Sequence, residues 1–310
     1  MREEIKPLFD EINRALIGRG DTVLKCLTAL IGCGHLLLED SPGVGKTTLS
    51  KAIAAAAGLK TKRIQFTPDT QPSDITGFTM WDAEQKKFRF HEGAVQTNVL
   101  LADEINRTSP RTQSALLQAM EEGAVSEDGI TTELEKPFMV IATQNPFGAA
   151  GTMQLPHSQL DRFMMKLSLG RPNAAEIKEM ILTRGTGAPE IRPVSSREEI
   201  LSFRERAAQV NISDAASEWI AALTELTHSN ENIAQGASPR AALSLAAAAR
   251  AAAFIDGRDY VLPADIAELF ADCFAHRLVL SSASVRDSSA ARAVCGEILK
   301  NCPPPHILKR

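Results

Sequence analysis

Residues 36–48 read Leu36-Leu37-Leu38-Glu39-Asp40-Ser41-Pro42-Gly43-Val44-Gly45-Lys46-Thr47-Thr48. A short apolar run, a glycine-bearing turn and a helical segment follow one another. That is the setting in which a backbone loop cradles phosphate. Gly43 and Gly45 let successive N–H groups turn inward, and the helix that opens at the loop's end adds the positive end of its dipole. Lys46 is placed to reach the β- and γ-phosphates, and Thr47 to ligate Mg²⁺. The stretch from Asp40 to Thr48 is therefore the expected nucleotide cradle. Its first position, glycine in the strict pattern, is Asp40.

Working outward, apolar residues at helical spacing before the loop (Ile5, Leu8, Phe9, Ile12 and Leu16; Val23, Leu24, Leu27, Leu30 and Ile31) predict two helices, broken at 18–20. After the loop the pattern alternates: helix over 47–57, extended chain over 63–66, strand over 99–102, helix over 111–122, strand over 138–143. Alternation of this kind predicts a parallel sheet covered by helices. Two segments interrupt it. Residues 78–90 read as an inserted hairpin, with Trp81 and Phe88 as large apolar groups on a protrusion. Residues 125–134 centre on Asp128-Gly129, a two-residue hairpin turn. Beyond about residue 185 the strand signal fades. Gly185, Gly187, Pro189 and Pro193 mark a linker. Helices follow over 197–209, 214–228, 239–254, 263–275 and 290–301, with Ser213 and Ser238 as N-caps. The expected division is an α/β core over 1–185 and a small all-α domain over 186–310.

The segment 97–102 ends in Asp103-Glu104, 57 and 58 residues beyond Lys46. Acids at the carboxyl end of a strand lie where ligands of parallel sheets bind. Asp103 is expected to hold Mg²⁺ through water, and Glu104 to polarise the attacking water. Asn145, after the strand over 138–143, is placed to orient the same water. No Asn-Lys-x-Asp guanine-reading motif occurs, which favours ATP over GTP.

The 310 residues carry 34 Lys and Arg against 38 Asp and Glu, a formal charge of -4, and only 5% aromatics. This opposes a chain that coats nucleic acid or an anionic membrane. The five cysteines form no C-x-x-C pair, so free thiols in a reducing compartment are expected rather than a disulfide or zinc framework. No run of about 18 apolar residues exists, and the first residues do not read as a signal peptide. The expectation is a cytoplasmic protein without membrane insertion.

Five ordered motifs carry a resemblance: the phosphate loop, Leu-Leu-Ala-Asp103-Glu104-Ile-Asn106-Arg107, Ala-Thr-Gln-Asn145-Pro146, Gln-Leu-Asp161-Arg162-Phe163 and Gly-Ala-Ser-Pro239-Arg240-Ala. Together, over about residues 10–305, they resemble the MoxR family of AAA+ ATPases, the helix-2-insert clade that includes the magnesium-chelatase ATPase subunit. Asp40 resembles a variant of the loop familiar in that family. The resemblance implies a P-loop core with a five-stranded parallel sheet and a helical lid. It implies a ring, usually of six subunits, with ATP between neighbours. Asn145 matches sensor 1. Arg240 matches sensor 2, touching the γ-phosphate from the lid of its own subunit. Arg162 matches the arginine finger presented to a neighbour; Arg107 and Arg111, close to the acidic pair, are the alternatives for that role. The two hairpins match the clade's inserts. The resemblance also implies a client protein to remodel or activate, through maturation or metal insertion, with a partner carrying a von Willebrand A domain. Two other readings stay open at this point: a nucleotide-controlled scaffold with little turnover, and a nucleic-acid-linked motor.

Overall fold

The computed structural model describes residues 1–40, 43–127, 129–144, 155–184, 190–281 and 288–305. Helices α1 (Lys6–Ala15) and α2 (Gly20–Ile31) precede β1 (Leu36–Glu39), and α3 (Lys46–Ala56) follows the phosphate loop. Next come β2 (Thr61–Gln65), the short α4 (Pro72–Thr76), the hairpin β3 (Gly77–Asp82) and β4 (Lys87–Glu92), and β5 (Val99–Asp103). Helix α5 (Pro110–Glu122) leads into the hairpin β6 (Ala124–Glu127) and β7 (Ile130–Glu133). Then follow β8 (Met139–Gln144), α6 (His157–Leu160), β9 (Met165–Leu167) and α7 (Ala174–Arg184).

Five strands form one parallel sheet in the order β2-β5-β8-β1-β9. Because side chains alternate along a strand, the apolar runs feed two cores. Leu36, Leu38, Val99, Leu101, Met139 and Ile141 face α1, α2, α3 and the helical half of the chain. Leu37, Leu100, Ala102, Val140 and Ala142 face α5 with Phe66 and Phe163. Burial on both faces is what consecutive apolar residues encode, and it fixes the carboxyl ends of β1, β5 and β8 side by side.

The helical half comprises α8 (Arg197–Ala208), α9 (Asp214–Ser229), α10 (Pro239–Ile255), α11 (Pro263–Phe274) and α12 (Ser288–Asn301). Two expectations change here. A small antiparallel ribbon, β10 (Ile233–Gln235) with β11 (Val279–Leu280), lies among the helices, so this half is not wholly α. Ser213 caps α9 by accepting from Ala216 N, but the Ser238 side chain does not cap α10. Its hydroxyl donates instead to both oxygens of Asp161, at 2.8 and 2.9 Å. In the rotamer that reaches Asp161, the hydroxyl oxygen does not accept from the first amides of α10.

Among the described residues no helix is long and apolar enough to cross a membrane. All five cysteines are free. Cys26, Cys273 and Cys295 are buried, Cys33 is exposed and Cys302 is half-buried. Burial pushes the three inner thiols up to about 12, which keeps them protonated and inert.

His35, just before β1, joins three elements. Its Nδ1 accepts from Val140 N of β8 at 3.0 Å, and its Nε2 faces Met120 O of α5 at 3.1 Å. Only the neutral ring with its proton on Nε2 satisfies both contacts, because a second N–H would oppose the Val140 N–H. Loss of hydration, the largest influence, lowers its pKa to about 4. Buried His276, facing Phe163 O, is held well below the ordinary histidine value, chiefly by burial. The unfolded chain therefore binds more protons between pH 6.5 and 4. The stability supplied by the neutral His35 ring is complete above about pH 6.5 and is lost as pH falls to about 4. The contribution is about 3 kcal/mol. Denaturant titrations from pH 7 to pH 4 should show His35→Gln with a shallower loss of unfolding free energy than the wild type. Parallel losses would mean that His35 does not titrate in this way.

Candidate nucleotide site

The phosphate loop leaves β1 and enters α3 through Gly45, whose φ of +105° is a left-handed conformation that suits glycine. Gly43, at φ +86°, also has open space where a Cβ would stand. Lys46, in the first turn of α3, is buried and donates from Nζ to Asp40 O at 2.9 Å. Its ammonium is thus folded back over the loop that would hold phosphate. Thr47 and Thr48 share the first turn, half-buried, and Val44 packs on the larger core. Ser41 and Pro42 lie outside the described residues.

Asp40 has a different task from the glycine it replaces. Its carboxylate accepts from Ser168 Oγ (2.6 Å), Leu169 N (2.7 Å) and Gly170 N (3.2 Å), at the end of β9. A carboxylate aimed into a phosphate cradle would repel its ligand. Here it anchors the loop's entry to the neighbouring strand, while its backbone oxygen accepts from Lys46.

Two strands away, about 10 Å at the usual strand spacing, β5 ends in Asp103. Its Oδ1 accepts from Thr143 Oγ at 2.6 Å, and its Oδ2 from Arg63 Nη2 at 2.7 Å. Glu104 follows at φ 58° and ψ 48°, a left-handed conformation unusual for a residue with a side chain. Strain of this kind is held by its surroundings and gathers at functional positions. What holds it here is again Thr143, whose hydroxyl accepts from Glu104 N at 2.9 Å. The Glu104 carboxylate pairs with Arg107 Nη1 at 2.8 Å. Arg111 is exposed in the first turn of α5. Arg107 and Arg111 therefore both sit on the phosphate-loop edge of the sheet. Asn145 lies outside the described residues.

Thr143 and Arg63 were not singled out in the sequence. Thr143, fully buried, closes an apolar strand one residue before Gln144, and a hydroxyl there had a readable purpose. Thr143→Val keeps the shape and removes both hydrogen bonds. Turnover should fall about tenfold through misplacement of the two acids, with ATP affinity unchanged and Thr143→Ser close to wild type. A full rate for the valine variant in a phosphate-release assay would remove Thr143 from the account.

The remaining two arginines stand elsewhere. Arg162 lies between α6 and β9, where the sheet begins: Met164 N donates to His35 O, and β9 pairs with β1 from Leu36 onward. The phosphate loop leaves the other end of β1, about 13 Å away by strand rise. Arg162 Nη1 donates to Leu117 O at 2.9 Å and pairs with the Glu121 carboxylate. Arg240, at the start of α10, pairs with the same carboxylate and approaches Asp161 Oδ2 at 3.9 Å. Arg240, expected to reach the γ-phosphate of its own subunit, pairs here with Glu121 beside Arg162. The packing of α10 against α2, α8, α9 and α11 sets its first turn beside the end of α5, near Arg162.

Residues 35–165 match the model of the ATPase family associated with various cellular activities (AAA), and residues 225–295 match the AAA lid domain. Chaperone MoxR1 of Mycobacterium tuberculosis is 37% identical over 96% of this chain and 81% of its own length. The uncharacterised protein YeaC of Bacillus subtilis is 40% identical over 98% of this chain and 97% of its own. A crystal structure from Cytophaga hutchinsonii, described as that of a candidate ATPase, superposes with a TM-score of 0.88 at 34% identity. It covers 97% of this chain and 95% of that one.

Proposed function

The chain belongs to the MoxR family of AAA+ ATPases, and on that premise we propose that it hydrolyses ATP at sites completed between neighbouring subunits of a ring and spends the cycle on remodelling a client protein. One observation carries the reading. The phosphate loop and acidic pair lie at one edge of the sheet, and the arginine pair Arg162 and Arg240 lies at the other. Each half lacks what the other has, and head-to-tail association joins them. Such heterologous contacts close into a ring where the rotation between subunits allows it, and a ring of six is what the resemblance implies.

Within one interface the parts divide as follows. Loop amides and the start of α3 hold the phosphates, with Lys46 against the β- and γ-oxygens. Thr47 and Asp103 offer the hard oxygen donors that Mg²⁺ takes, and both oxygens of Asp103 already accept hydrogen bonds, as a carboxylate acting through water does. The bound ion would draw charge from the phosphate oxygens. Glu104, oriented by its left-handed backbone and Thr143, accepts the proton of the attacking water, and Asn145 is assigned to orient that water. Arg162 and Arg240 of the neighbour meet the charge that develops on the γ-phosphate.

The client surface is assigned to the β3–β4 hairpin. Trp81 and Phe88 are 51% and 71% exposed and pack edge to face on each other, 5.2 Å apart. Exposed aromatics on a protrusion suit burial against a partner. At its base, a Cβ on Gly93 would stand 2.3 Å from Ile75 O, so the hairpin is seated against α4 by backbone contact. A von Willebrand A domain protein as partner follows from the resemblance. The free thiols support a cytoplasmic place. Phosphate release from Mg²⁺-ATP by the purified chain tests the reading, with Lys46→Ala as the blank. Equal rates for the two would overturn it.

A further inference from the structure

We propose that Glu121 is a positioning residue, which holds Arg162 and Arg240 as one preassembled fork for a neighbour's γ-phosphate. The inference rests on the reading that these arginines act across a subunit interface, and it assigns the element that makes them a unit.

Glu121 sits in the last turn of α5, a helix stopped by Gly123 in the left-handed conformation. Two features fix that end. His35 faces Met120 O, and Arg162 takes Leu117 O. The carboxylate is therefore presented from a rigid place, and its two oxygens are divided: Oε2 pairs with Arg162 and Oε1 with Arg240. The two arginines come from separate parts of the chain, the core and the helical half. Behind them stands a second carboxylate, Asp161, which accepts from Arg277 Nε at 2.9 Å and from the Ser238 hydroxyl. Arg277 is buried and also donates to Asp161 O and Phe163 O, so it clamps the finger segment to the helical half.

Three guanidinium groups thus converge on two carboxylates. Arg277 is enclosed, with a side chain 1% exposed. Arg162 and Arg240 have side chains 30% and 42% exposed, which leaves them open to a ligand. Like charges brought this close repel, and Glu121 lies between the two that remain open. With its negative charge, both forks point to one place. Without it, they separate, and the phosphate must gather them during the reaction. Preorganised charge is what an enzyme supplies at the transition state, so the loss should fall on turnover rather than on ATP binding.

The test uses Glu121→Gln and Glu121→Asp in the full chain, at concentrations where rings form. Glu121→Gln should bind ATP as the wild type does and turn over 10- to 100-fold more slowly, with Glu121→Asp partly restored. Mixing Glu121→Gln with Lys46→Ala under subunit exchange should recover activity. One subunit then gives an intact pocket and the other an intact fork. Arg162→Ala mixed with Lys46→Ala is run in parallel. If that control recovers and the Glu121→Gln mixture does not, Glu121 is not part of the fork, and the trans reading stands. If neither recovers although mixed rings are demonstrated, the trans reading itself fails. A Glu121→Gln protein as fast as the wild type, or faster, would also overturn the proposal, the faster rate meaning that Glu121 occupies the fork and must be displaced.

Discussion

Arg162→Ala is expected to bind ATP nearly as the wild type does and to lose about 10³ to 10⁵ in turnover. The side chain stands at the start of the sheet, with β1 between it and the phosphate loop of its own subunit. From that place its loss should leave ground-state binding in that pocket unchanged. What it offers is a half-exposed guanidinium, already oriented by Leu117 O and Glu121, for the charge that builds on a neighbour's γ-phosphate. Such charge is met in a site that excludes water, where an arginine supplied in trans has its largest effect. ATP affinity from calorimetry and phosphate release from the same preparation separate the two quantities. A large loss of affinity would place Arg162 in its own pocket. An unchanged rate would return the finger role to Arg107 or Arg111, at the loop edge.

Glu104→Gln is expected to hold ATP and to hydrolyse it about 10²- to 10⁴-fold more slowly, because an amide cannot take the proton of the attacking water. The shape is kept and the backbone contact of Glu104 with Thr143 remains, so the effect isolates the carboxylate. The substitution also weakens the hold of Arg107, which now pairs with that carboxylate. Arg107→Ala separates the contributions: if Arg107 only orients Glu104, its loss is far smaller. Near-normal turnover of Glu104→Gln would mean that another group is the base.

Much of this was legible before any coordinate. The runs 36–38, 99–102 and 138–143 are strands because three or more consecutive apolar residues suit a sheet buried on both faces, and they became β1, β5 and β8. Both hairpins and the turn at Gly129 followed from local chemistry. Helix α7 was passed over although Asn173 and Glu176 form a reciprocal capping pair at its start. The β10–β11 ribbon rests on three residues and two, too few to show a period. The site divides in the same way. Lys46, Thr47, Asp103 and Glu104 are adjacent in short motifs, so sequence placed them. Thr143 beneath the acids, Asp40 turned towards β9, and Arg240 beside Glu121 depend on which elements touch. Arg240 and Glu121 are 119 residues apart, and only the packing of α10 brings them together.

A site built from two subunits makes activity depend on assembly. Specific ATPase activity measured against protein concentration, with assembly followed by ultracentrifugation in the same buffer, tests it most directly. Activity per subunit should be very low in the dilute monomer and rise to a plateau as rings form. Full activity per subunit in a demonstrated monomer would contradict it.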